Sequence, residues 1–136
     1  MRTVFVDTFF WIALANPRDP HHQRAQALQQ SLRSVRLVTT DEVLVEFLTF
    51  YAGYGPAMRQ SAAQAARRLL TTPTVEVIAQ TRASLLAGLT LYEARPDKRY
   101  SLTDCISMET MRGRGISEVL TDDHHFAQEG FIRIFY

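Results

Sequence analysis

Acidic residues recur in this chain at places where carboxylates from distant segments can meet. Asp7 follows the apolar run Thr3-Val4-Phe5-Val6 directly, and Asp122 and Asp123 follow Val119-Leu120-Thr121 in the same way. Asp104 lies near the start of a helical pattern within Tyr100-Ser101-Leu102-Thr103-Asp104-Cys105. Taken singly, each has an ordinary structural use as a helix cap or a turn residue. Glu46 is different. It interrupts the apolar segment Val43-Leu44-Val45-Glu46-Phe47-Leu48, and an unpaired buried carboxylate is costly. If these groups converge, two unit charges about 4 Å apart repel by roughly 4 kcal/mol at an effective dielectric near 20. Such a cluster must take up protons, pair with arginine or bind a cation. Oxygen-only ligands select hard ions such as Mg2+ or Mn2+. An ion of this kind can polarise a phosphodiester, steady the leaving oxygen and lower the pKa of a bound water.

The elements that must position these acids alternate between short β-branched runs and longer helical patterns. Thr3–Val6, Arg36–Thr39, Thr74–Ile78, Glu118–Thr121 and Phe131–Phe135 read as strands. Between them the spacing predicts helices over Thr8–Asn16, His21–Arg33, Thr40 or Asp41 to Tyr51, Ala57–Leu70, Thr81–Ala94 and Leu102–Arg112. Gly113 and Gly115 are expected to end the last of these, and Asn16–Pro20, Gly53–Pro56 and Arg95–Arg99 to be loops. Strands separated by helices pair in parallel through right-handed crossovers, which gives a three-layer α/β/α domain. Ligands of such sheets bind beyond the carboxyl ends of the strands, the edge to which Asp7, Asp122 and Asp123 map. Glu46 lies more than a turn into its helix, so its direction is the least determined.

At 136 residues the whole chain, 1–136, is expected to be one domain. Its 46% hydrophobic content suffices for one core, and no apolar stretch reaches the roughly 20 residues of a membrane span. Asp7 comes too early for a signal peptide, so a cytoplasmic location is expected. Cys105 is the only cysteine, which excludes an internal disulfide and a cysteine-based zinc site. Net charge is +1, so no global basic field announces a nucleic-acid partner.

The order and surroundings of the acids resemble the PIN-domain family, and within it the VapC-type toxin ribonucleases. Val4-Phe5-Val6-Asp7-Thr8-Phe9-Phe10-Trp11 is similar to that family's opening motif, and Glu46 to its second acid. Ser101-Leu102-Thr103-Asp104-Cys105-Ile106-Ser107 resembles the third motif, and Leu120-Thr121-Asp122-Asp123-His124-His125-Phe126 the fourth. The resemblance implies a five-stranded parallel sheet and an Mg2+- or Mn2+-dependent endoribonuclease, the toxin of a toxin–antitoxin pair. It implies Asp7 and Asp104 as main metal ligands, with Glu46 as a further ligand or an orienting group for water. Family spacing gives the fourth position to Asp123 and leaves Asp122 as its neighbour. Thr8 and Thr103 adjoin ligands and can hydrogen-bond them. A homodimer and a cognate antitoxin are implied as well.

Arg95, Lys98 and Arg99 precede Asp104 by a short loop and are candidates for RNA phosphate contacts, although a solvated charged loop explains them equally. The pairs His21-His22 and His124-His125 invite an acid–base reading. His21-His22 follows a proline loop where exposed histidines are ordinary, and His125 can pack beside the fourth acid without reacting. Two alternatives stay in view: a PIN-domain nuclease of RNA processing that is no toxin, and a catalytically silent PIN-like binding module. A signalling receiver domain also gathers acids at a sheet edge. It requires a late lysine, and none follows Lys98.

Overall fold

The computed structural model describes residues 2–135. Its first strand, β1 (Thr3–Val6), is made of β-branched and aromatic residues, and Val4, Phe5 and Val6 are all fully buried. Successive strand residues point to opposite faces, so burial of all three means that helices cover both faces of the sheet, as a parallel sheet requires. Helices α1 (Thr8–Ala15) and α2 (His22–Ser31) lead to β2 (Arg36–Thr40), then α3 (Asp41–Tyr51) and α4 (Pro56–Thr71) to β3 (Val75–Ile78). Helices α5 (Arg82–Ala94) and α6 (Leu102–Arg114) precede β4 (Glu118–Leu120), and α7 (His124–Gln128) precedes β5 (Ile132–Arg133).

The five strands lie in the order β3-β2-β1-β4-β5 and every pair is parallel. From β1 the chain moves outward through β2 to β3, then returns to add β4 and β5 on the other side. The direction of winding therefore reverses between β1 and β4. At such a point the connections leave the carboxyl edge in opposite directions and open a crevice. Asp7 stands at the end of one bordering strand and Thr121–Asp123 at the end of the other.

The expected α/β architecture with five parallel strands is present, and the differences in detail have physical causes. Helix α4 begins at Pro56, whose fixed φ suits the first helical position and whose missing N–H costs nothing there. Helix α6 runs through Gly113 to Arg114 and stops at Gly115, where φ is 65° in the left-handed region. Helix α7 was not expected; five residues are too few to set up an apolar period. Strand β5 has two residues in place of the five anticipated, because Phe135 turns into an aromatic cluster with Phe9, Phe10 and His21. Against α6, Gly88 of α5 packs so closely on Ile106 that a Cβ there would collide with the Ile106 side chain. Among the described residues, no helix is long and apolar enough to cross a membrane.

Candidate active site

Asp7 is the first residue after β1, and its backbone N–H donates to the Leu120 carbonyl of β4 at 3.2 Å. Pairing between β1 and β4 (Val6 opposite Leu120) thus sets Asp7 beside Thr121. The Thr121 hydroxyl donates to Asp7 Oδ2 at 2.8 Å and accepts from the Asp123 N–H at 3.0 Å. One fully buried threonine therefore ties two of the acids together. Asp7 is only 6% exposed. Burial raises its pKa to about 7, and the carboxylates of Asp104 and Glu46 push the same way against the Thr121 hydrogen bond.

Asp104 enters from α6. Ser101 caps that helix by accepting from the Asp104 N–H at 3.0 Å, and Asp104 Oδ2 accepts from the Ser101 N–H at 3.0 Å. This reciprocal capping box fixes the carboxylate at the helix start. Burial also raises the Asp104 pKa, with Asp123 and Glu46 adding repulsion. Glu46, partly buried on α3, accepts a 2.5 Å hydrogen bond from the Thr8 hydroxyl. That bond joins the start of α1 to α3 and turns Glu46 toward the carboxyl edge of the sheet. Thr103 lines a cleft of about 320 Å³ with Glu46, Glu42, Val45, Thr49 and Gln80.

Asp123 caps α7: its Oδ1 accepts from the His125 N–H at 2.9 Å. The His125 ring lies over the same corner, with Nδ1 3.1 Å from Asp123 Oδ1 and 3.8 Å from Asp104 Oδ2. Asp122 faces elsewhere. Burial raises its pKa, and the charges acting on it are those of Asp123, His21 and Arg133. Its carbonyl accepts from Arg133 at 2.8 Å.

The structure therefore brings Asp7, Glu46, Asp104 and Asp123 within electrostatic reach of one another at one crevice and leaves Asp122 at its margin. Among the described residues, the set whose possible metal-binding atoms all lie within 4.8 Å of one another is Asp123, His124 and His125. Two residues of the corner, Thr121 and Ser101, carried no expected role. Both are hydroxyl residues next to or within three positions of an acid, which is the signal that could have found them. Of the loop cations, Arg95 is committed to Glu129 by hydrogen bonds of 2.9 and 3.3 Å. Lys98 sits 3.8 Å from the exposed Asp97, and Arg99 is exposed. The histidines at 21 and 22 make other contacts: His21 packs on Phe9 and Phe135 and its charge reaches Asp122 at the margin, and His22 Nδ1 lies 2.7 Å from the Ala13 carbonyl.

Among the described residues, the basic groups within ion-pair distance of Asp7, Glu46, Asp104 or Asp123 are histidines, with no lysine or arginine. Two carboxyls driven upward by burial and mutual repulsion, with no guanidinium to neutralise them, suit a hard divalent cation. The four carboxylates offer it oxygen, and the His124 and His125 rings beside Asp123 add nitrogen. A larger cavity, about 680 Å³, lies at the opposite edge of the sheet between Trp11, Leu37, Phe47, Leu69 and Val75. No acid lines it, so it does not compete as a metal site.

Residues 4–131 match the PIN domain. The chain is 35% identical over 135 residues to the 23S rRNA-specific endonuclease VapC20 of Mycobacterium tuberculosis, covering 96% of this chain and 97% of that protein. The crystal structure of M. tuberculosis VapC20, a sarcin-ricin loop cleaving toxin, superposes with a TM-score of 0.86 at 27% identity, over 96% of this chain and 98% of that one. FitAcB from Neisseria gonorrhoeae shares the fold, with a TM-score of 0.65 at 17% identity and 96% of each chain covered.

Proposed function

The chain belongs to the PIN-domain family, and from that premise we propose that it is a divalent-metal-dependent endoribonuclease, the toxin of a toxin–antitoxin pair. The observation that carries this reading is the crevice between β1 and β4, where the carboxylates of Asp7, Glu46, Asp104 and Asp123 act on one another and, among the described residues, have no lysine or arginine partner. Asp7 and Asp104 would hold Mg2+ or Mn2+, with Glu46 and Asp123 completing the oxygen set. A bound ion there supplies charge to the phosphodiester and an acidified water.

The chain's own residues supply position. Thr121 holds Asp7, Ser101 holds Asp104 and Thr8 holds Glu46, each by a hydrogen bond of 3.0 Å or less. Orienting partners of this kind commonly affect metal affinity or activity by about 10–100-fold. Glu46, the most accessible of the three, is the one suited to receive a proton from an attacking water. Thr103, on the wall of the adjoining cleft, faces the substrate side.

RNA as substrate rests on the likeness to VapC20, and ribosomal RNA carrying a sarcin-ricin loop is the first substrate to offer. A cytoplasmic location and a cognate antitoxin follow from the same reading. A homodimer would cover the apolar side chains Val45 and Leu48 of α3 and Leu86 and Leu89 of α5, which are 36–60% exposed. Purified protein with Mn2+ should cut 23S ribosomal RNA, and Asp104→Asn should lower cleavage at least ~100-fold. Equal cutting by parent and Asp104→Asn would assign the activity to a contaminant and end this reading.

A further inference from the structure

We propose that a second cleft, beside the acidic crevice, is a phosphate-binding subsite that grips the RNA strand next to the bond being cut. The inference rests on the ribonuclease reading above. The cleft has a volume of about 280 Å³ and is lined by Tyr92, Arg95, Pro96, Lys98, Arg99 and Tyr100. It lies at the end of α5 and along the loop into α6, so the loop that forms it leads directly to Ser101 and Asp104.

Its inner wall is built, not merely exposed. Glu129, whose side chain is 5% exposed, accepts from Tyr100 Oη at 2.9 Å and from Arg95 Nε at 2.9 Å. Arg112 of α6 clamps the same carboxylate at 2.6 Å. Tyr100 and Arg95 are thereby pinned to the C-cap of α7, the short helix whose N-cap is Asp123. The other face of Tyr100 packs on His125, ring centres 5.2 Å apart, and His125 reaches Asp123 and Asp104 at 3.1 and 3.8 Å. Two rings, Tyr100 and His125, thus stand between the cleft and the acids.

Charge explains why such a subsite is needed. The crevice concentrates four carboxylates, which repel a polyanion until a cation is bound. Lys98 and Arg99 put two positive charges on the rim of the neighbouring cleft. Lys98 lies 3.8 Å from Asp97, whose side chain is 74% exposed, a weak partner that a phosphate displaces at little cost. Tyr92, 52% exposed, closes the outer side with a ring, and cations beside an aromatic face are the usual equipment for single-stranded nucleic acid.

Binding of a short fluorescein-labelled single-stranded RNA to Asp7→Asn protein, followed by anisotropy across a salt series, tests this. Adding Lys98→Ala and Arg99→Ala should weaken binding about 10-fold or more at low salt. The slope of log affinity against log salt should fall by about 1.4, the value for two lost phosphate contacts to a single strand. Arg33→Ala with Arg67→Ala, on exposed arginines away from the cleft, should change the slope by less than half as much. Circular-dichroism melts of all the proteins check that each is folded. If the parent cuts RNA but the Lys98/Arg99 variant keeps the parental affinity and slope, the subsite is overturned and the ribonuclease reading stands. An equal loss in the Arg33/Arg67 variant also overturns the subsite, because general charge then explains the binding. A protein that neither cuts nor binds RNA overturns both.

Discussion

Replacing Asp7 with asparagine should stabilise the ion-free protein while destroying its activity. The side chain is 6% exposed, and burial, reinforced by Asp104 and Glu46, lifts its pKa from the ordinary 3.8 to about 7. A folded-state pKa above the unfolded value means that the stability linked to this group is complete below about pH 4. It is lost as pH rises through about 7. A shift of that size is worth about 4 kcal/mol at alkaline pH. Local relaxation and water reaching the carboxylate recover part of the cost, so about 1–3 kcal/mol should be gained from the neutral amide, which still offers Thr121 an acceptor. In a domain of this length that is roughly 3–10 °C in Tm. Parent and Asp7→Asn should be melted at about pH 5 and about pH 8, in EDTA and in Mn2+. The variant should melt higher in EDTA at the upper pH, and the gap should shrink at the lower. Mn2+ should raise the Tm of the parent and leave the variant nearly unmoved. A variant that melts below the parent in EDTA at the upper pH, or that gains as much from Mn2+, would refute the claim that Asp7 is an uncompensated charge waiting for a cation.

Thr121→Val, which keeps the side-chain volume, removes a donor to Asp7 and an acceptor for the Asp123 N–H. It should cost about 1–3 kcal/mol and weaken Mn2+ binding about 10-fold or more in a calorimetric titration; unchanged affinity would mean that Thr121 does not set the Asp7 carboxylate. Glu129→Gln tests the clamp behind the loop. Burial raises the Glu129 pKa, but hydrogen bonds from Arg95, Arg112 and Tyr100 outweigh it and hold the group at about 2. Because the folded pKa lies below the unfolded one, this stability is present above about pH 4.3 and is lost as pH falls toward 2. The glutamine variant should therefore be about 2 kcal/mol less stable near neutral pH, with the difference closing in acid; a constant difference across that range would remove the charge from the explanation.

The sequence made the acids visible because Asp7, Asp104 and Asp123 follow or open segments whose own pattern is strong, and Glu46 interrupts one. Val4-Phe5-Val6 and Val119-Leu120 are unmistakable strands, so Asp7 and Asp123 could be mapped to one edge without knowing the strand order. The order itself was not legible. Nothing local states that β4 pairs with β1 and not with β3, and that pairing alone brings Thr121 to Asp7. Helix α7 escaped for want of length. The choice between Asp122 and Asp123 rested on spacing, and side-chain direction favours Asp123, since α7 capping and His125 turn it toward Asp104. The commitment of Arg95 to Glu129 was also hidden, because the partners are 34 positions apart in the chain.

The pairing of β1 with β4 has a consequence for when, during synthesis, the crevice can form. The ends of the central strand β1 and of its neighbour β4 are joined by a contact spanning 114 positions, from Asp7 to Thr121. Three of the four acids are synthesised well before the fourth, and the hydroxyl that holds the first acid in place emerges beside the last. A chain still being translated through α6 can have its apolar core under construction, yet it lacks β4, the strand that pairs with β1 and completes the crevice. On the ribonuclease reading, such an enzyme cannot attack the ribosome that is building it. The order of the strands makes the crevice one of the last parts of the fold that can close.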